Sequence, residues 1–226
     1  MRLSGDAQRL PPRLVLFVAG VAGCAALLFV RGWYARGMRF RFLAWNLVLA
    51  VIPALAAAAM ARADRRRKPA LVAIWGLVWL LFLPNAPYLI TDLVHLYPRP
   101  PVPYWFDIGI FAAFAGAGVL AAFSSFGDVQ QVASRHFGRW TGWAVVAVAS
   151  FAAGFGIELG RMGRWNSWDV LSQPGDLFRE VIARVVDPWA YPRALALAML
   201  YGSVLLFGYV AARVLVSEQV RGASEG

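Results

Sequence analysis

Residues 71–96 read "LVAIWGLVWLLFLPNAPYLITDLVHL", an unbroken apolar run that ends in two prolines, an asparagine, an aspartate and a histidine. As a helix, the apolar part, Ala70 to Leu83, rises only about 21 Å at 1.5 Å per residue. A bilayer's hydrocarbon core is about 30 Å thick, so a crossing that starts at Ala70 has to continue through the prolines to about residue 90. Pro84 and Pro87 each remove a backbone donor and kink the helix. The carbonyls they leave unpaired lie where no water reaches, so donors must come from Asn85 or from a neighbouring helix. The stretch therefore reads as a transmembrane helix broken near one end, with polar residues gathered at the break.

The rest of the chain agrees with a membrane-embedded fold. Of its 226 residues 60% are apolar and 15% charged, against roughly a quarter charged in soluble domains. The apolar residues fall into blocks at about 14–30, 43–60, 70–90, 105–126, 143–159 and 194–216, each near the length of a crossing. Pro53 is a tolerated kink inside the second. "GDVQQVASRHFGR", Gly127 to Arg139, reads as the loop between the fourth and fifth, and Ala152, Gly156 and Gly160 place small residues on one face of the fifth, where another helix can approach closely. In "PGDLFREVIARVVDPW", Pro174 to Trp189, the pattern puts Leu177, Phe178, Val181, Ile182, Val185 and Val186 on one helical face, with Arg179, Glu180 and Arg184 opposite. Pro174 suits a first turn and Pro188 a stop, which predicts an amphipathic helix over about 174–187 lying in the membrane interface. The tail, 217–226, reads as frayed. The expected fold class is all-α: one domain, an integral membrane bundle of about six transmembrane helices with that interfacial helix between the fifth and sixth.

Counting narrows the chemistry. One cysteine, Cys24, forms no internal disulfide, and two histidines are too few for a three-histidine zinc site. "VAGC", Val21 to Cys24, has the layout of a processed leader, but "AALLFV" prolongs the apolar run beyond it, so an uncleaved first helix is expected. The formal charge of +10 comes mainly from arginines between the blocks, as in "RADRRRK" at Arg62 to Lys68, where they meet anionic lipid headgroups rather than nucleic acid. "RGWYARGMRFR", Arg31 to Arg41, reads likewise as interfacial. Basic residues divide almost evenly between the two sides; the densest cluster, in a short loop, places the N- and C-termini on the cytoplasmic side.

With six crossings, the segment after the third and the segment after the fifth share a side whichever way the bundle points. The first carries Asn85, Thr91, Asp92 and His95. The second, "GIELGRMGRWNSWD" (Gly156 to Asp169), carries Glu158, Arg161, Arg164, Asn166, Ser167 and Asp169, and Asp107 starts the fourth crossing on the same side. Ionisable groups at membrane depth mark functional sites by default. Each also has a plainer reading: Asp92 as a helix cap, His95 as an interfacial ring, Glu158 and Arg161 as a pair three residues apart, Asn166, Ser167 and Asp169 as turn residues, and Arg164 as a headgroup contact.

The pairing of "LPNAPYLITDLVHL" with "GIELGRMGRWNSWD" resembles the bacterial multi-pass membrane family known as domain of unknown function 1361, from about the second crossing to the sixth. The resemblance implies an integral membrane protein of a bacterial inner membrane and no assigned activity or cofactor. The family pattern has an aromatic residue where this chain has Glu158, so the resemblance singles out Asp92, His95, Arg161, Asn166 and Asp169. Three functions fit the residues. One is an outer-face polar pocket that binds or transports a small solute or lipid headgroup, since broken helices frame such pockets. Another is a membrane-embedded enzyme in which Asp92 and His95 exchange protons while Arg161 and Arg164 hold a phosphate or carboxylate, with or without a metal. The third is a structural or assembly subunit in which Asn85 and Arg161 donate to freed carbonyls. No G-x-S-x-G, Walker or H-E-x-x-H pattern is present.

Overall fold

The structure, a computed structural model, describes residues 12–37 and 39–225, with side chains described for 15–37 and 39–219. Its helices are α1 (Pro12–Tyr34), α2 (Arg41–Arg65), α3 (Pro69–Phe82), α4 (Asn85–Thr91) with a 3₁₀ turn Asp92–His95, α5 (Tyr104–Phe137), α6 (Arg139–Arg161), α7 (Asp169–Ser172), α8 (Pro174–Val186) and α9 (Pro192–Glu225). No strand occurs among the described residues; the chain around the prolines closes a single bridge between Arg99 and Val102. Among the described residues six helical stretches are long and apolar enough to span a membrane: α1, α2, α3 through the turn after α4, α5, α6 and α9.

α5 is the central rod, packing on α1, α2, α4 and α6, while α3 leans on α2 and α9 on α6. Its inner face buries Ile110, Phe111, Phe114 and Phe126 against Phe40, Leu43, Leu83 and Leu89. The opposite surfaces stay apolar and exposed, with Leu77, Leu120, Val148 and Phe207 among them, the arrangement expected where the solvent is lipid. α6 and α9 cross at glycines. A Cβ on Gly154 would stand 2.6 Å from the Ala198 carbonyl oxygen, and one on Gly202 would stand 2.4 Å from the Phe151 ring, so only hydrogen fits at either position.

Two boundaries differ from the sequence reading. The expected loop 127–139 is helical: α5 runs on to Phe137, and only Gly138, at φ 87°, separates it from α6. Nothing from Asp128 to Phe137 breaks a helix, and Val129, Gln130 and Val132 keep burying one face. The left-handed conformation that glycine tolerates then reverses the chain in a single residue. At 34 residues, α5 is about 51 Å long and overshoots the hydrocarbon core. α9 continues to Glu225, through the segment expected to fray.

Candidate functional site

The prolines break the third crossing as anticipated, and the structure shows which groups repair it. Past Pro84, the Ala86 N–H reaches back only to the Leu83 carbonyl, at 3.2 Å, so upstream carbonyls need other donors. The Asn85 side-chain amide donates to the Phe82 carbonyl at 3.0 Å. The Ser167 hydroxyl, from the segment after α6, donates to the Leu81 carbonyl at 3.0 Å and accepts from Asn85 Nδ2 at 2.9 Å. Two side chains, 82 residues apart, thus replace the missing backbone bonds. Pro84 also seats on α6: a Cβ on Gly156 would fall 2.3 Å from its ring, so the small face expected on that helix is where the break docks.

About two turns beyond Pro84, Asp92 lies 2% exposed among three elements. Asn46 of α2 donates from Nδ2 to Asp92 Oδ2 at 2.8 Å. Arg161, closing α6, extends Nη1 to Asp92 Oδ1 at 3.5 Å and to Thr91 Oγ1 at 3.1 Å, while the Thr91 hydroxyl donates to the Tyr88 carbonyl at 2.6 Å. The guanidinium also stands 5.6 Å from the centre of the Tyr88 ring. A buried carboxylate is tolerated when its oxygens are paired and hydrogen-bonded, and here one oxygen takes the amide and the other faces the guanidinium. The sequence reading missed Asn46; its signal was a single amide within the apolar "FLAWNLVLA".

Other residues on that side go elsewhere. Asp107 has no exposed surface and is clamped by Arg31, Nε to Oδ1 at 2.7 Å and Nη2 to Oδ2 at 3.2 Å. Arg31 is itself only 3% exposed, its guanidinium 3.9 Å from the centre of the Phe40 ring. The expectation that Arg31 lies at the interface is therefore corrected: Asp107 draws it inside, and the pair fastens the end of α1 to the start of α5. Glu158 does not pair with Arg161. It accepts from Arg184 Nε at 3.0 Å, and Arg184 also meets Glu180 at 3.1 Å.

Arg184 thereby corrects the reading of α8. It follows Leu177 by seven residues and Val181 by three, which puts it on their stripe rather than opposite them. It is buried on the bundle side, and the apolar residues Phe178, Ile182, Val185 and Val186 are exposed. His95 is exposed and packs its ring on Phe42 at 5.3 Å; among the described residues no hydrogen bond joins it to Asp92. Arg164 is exposed at φ 58°. Asp169 accepts from the Asn166 backbone N–H at 2.7 Å, the Asn166 amide at 3.3 Å and the Ser172 hydroxyl at 3.0 Å. The first of these bonds leads in holding its carboxyl below the usual carboxylate range, and together they make the turn into α7. Among the described residues no group of three metal-binding side chains occurs.

Beside the break lies a cavity of about 460 Å³ between α2, the α3–α4 junction, α6 and α8. Leu49, Leu77, Leu80 and Phe155 wall most of it, and Asn46, Asn85, Asn166 and Ser167 supply its polar end. Trp45, Leu77 and Leu80 are exposed, so the cavity opens sideways toward the lipid. Asp92 and Arg161 stand behind this end, linked to it through Asn46.

Six apolar crossings around a buried polar junction define a multi-pass membrane protein. The family model described as "Protein of unknown function (DUF1361)" matches residues 45–207, more than half of the chain, and the chain belongs to that family. The match takes in Asn46, Asp92 and Arg161 and begins after Arg31. No curated protein and no solved structure matches.

Proposed function

We propose that the protein binds an amphiphile, one apolar chain with a polar head, in the lateral cavity beside the broken third crossing. The chain lies along Leu49, Leu77, Leu80 and Phe155, and the head meets the amides of Asn46, Asn85 and Asn166 and the Ser167 hydroxyl, backed by Asp92 and Arg161. The observation that carries this reading is the cavity itself: its 460 Å³ falls within the range of about 300–1,000 Å³ of small-molecule sites. It is apolar along one side, polar at one end and open where lipids are. Transport or assembly of an envelope lipid is the role that such a site serves. The setting proposed with it is a bacterial cell membrane, with both termini in the cytoplasm and the cavity near the outer face; α8 rests there with Phe178, Val185 and Val186 turned to the interface.

A structural reading has its own observation, since Asn85 and Ser167 are already engaged with freed carbonyls. The two separate in one experiment. Protein purified in mild detergent is examined by native mass spectrometry beside Ala152→Phe, which fills the cavity from α6, with folded yield measured for both. The expected result is one retained amphiphile per wild-type chain, absent from Ala152→Phe at equal yield. Retention by both proteins, or by neither, counts against the proposal.

A further inference from the structure

At the opposite end of the bundle a second cavity, of about 790 Å³, opens between the start of α1, the far half of α5, the start of α6 and the latter part of α9. Its chemistry is graded along α5. Leu120 and Phe123 line it at the middle of α5, then Gly127, then Gln130, Gln131 and Ser134 toward the helix end, a rise of about 21 Å from Leu120 to Ser134. Exposed guanidinium groups enter at the polar end from both sides, Arg139 from α6 and Arg213 from α9. Asp128 shares the lining and is engaged within the protein.

Deep in this end Gln130, 7% exposed, takes the Tyr209 hydroxyl on its Oε1 at 2.7 Å. That bond turns its amide nitrogen into a donor without a protein partner among the described residues. The surroundings are basic too: Asp64 of α2 is bound to Arg135 and His136 at the end of α5, which brings the Arg62–Lys68 cluster to this side.

We infer that this second cavity is a binding site for one anionic phospholipid. Its phosphate sits between Arg139 and Arg213 with the Gln130 amide donating, and one acyl chain runs along Leu120 and Phe123 toward the membrane centre. A guanidinium holds a phosphate by charge-assisted hydrogen bonds, and basic recesses between transmembrane helices take such headgroups. The apolar walls distinguish a chain-bearing ligand from a free anion, which would use only the polar end. The inference does not rest on the amphiphile proposed for the other end.

The test is thermal unfolding of the full chain in detergent, titrated separately with phosphatidylglycerol, with phosphatidylcholine of the same chains and with inorganic phosphate. Phosphatidylglycerol is expected to raise the midpoint saturably at one lipid per chain, and phosphatidylcholine and phosphate are not. Arg139→Gln with Arg213→Gln should weaken the phosphatidylglycerol response about tenfold, the equivalent of about 1.4 kcal/mol. Gly127→Leu, whose Cβ meets nothing nearer than Tyr209 Oη at 3.8 Å, fills the cavity without a clash at its base and should abolish the response. Ala152→Phe, at the other end, should keep it. An equal shift with phosphatidylcholine, the same shift with phosphate alone, or a full response in Gly127→Leu overturns the inference. If the double arginine variant does not fold, lipid selectivity and Gly127→Leu decide.

Discussion

A carboxylate with no exposed surface tolerates its burial only through its partners, and the one that Asp107 has among the described residues is the two-pronged Arg31. Removing one member of a buried pair costs about 3–5 kcal/mol, because the other is left charged in a low-dielectric place, whereas replacing both by apolar residues is often neutral. Arg31→Ala is therefore expected to lower the free energy of unfolding, measured by titration with sodium dodecyl sulfate from mixed micelles, by about 3 kcal/mol or more. Arg31→Met with Asp107→Leu should return most of that loss. A single variant within about 0.5 kcal/mol of wild type would show the pair to be energetically idle. The same residues show what was legible in the sequence. Asp92 and Arg161 stood out because each is ionisable beside an apolar run, and six crossings forced their segments to one side. Arg31 did not stand out, because an arginine at the end of a span reads as a headgroup contact until its carboxylate is known. Asn46 was hidden for a similar reason: a lone amide in an apolar helix announces a partner without saying which.

The broken third crossing depends on two donors from distant parts of the chain. Asn85→Ala removes the donor to Phe82, and Ser167→Ala the donor to Leu81; each leaves a part-buried carbonyl unsatisfied, at a cost of about 1 kcal/mol. Because Asn85 also donates to Ser167, the two losses should not add, and a double-mutant cycle should give a coupling of at least about 0.5 kcal/mol. Additive losses would mean that water or another donor repairs the break. Helices were legible in the sequence wherever composition alone decides them, which covers all six crossings. Their ends were not. Polar residues such as Gln130 and Gln131 read as loop by composition, whereas α5 continues its one buried face through Val129, Gln130 and Val132 to the helix end. Arg184 was misplaced because a charged residue was assigned to the outer face by its type, whereas its register puts it on the inner stripe, where Glu158 awaits it.

The helices make an even number of crossings, and the two cavities lie at opposite ends of them, so the orientation of the whole molecule fixes which compartment each cavity borders. Composition could not decide that, since the basic residues divide nearly evenly between the sides and Arg31 and Arg184 are spent on buried carboxylates rather than on orienting the chain. A direct measurement settles it. In a Cys24→Ser background, single cysteines replace Arg67, Tyr97 and Ser217, all exposed, and intact cells are treated with a membrane-impermeant maleimide before and after permeabilisation. Six crossings require positions 67 and 217 to behave alike and position 97 to behave oppositely, whichever way the bundle points; any other grouping removes a crossing from the fold. The short loop that holds Arg62 to Lys68 then gives the direction, because cytoplasmic retention of basic residues is strongest for short loops. Position 97 should label in intact cells, and 67 and 217 only after permeabilisation. The inverse pattern would keep all six helices and place the Asn85–Ser167 cavity on the cytoplasmic side, with Arg139 and Arg213 facing out.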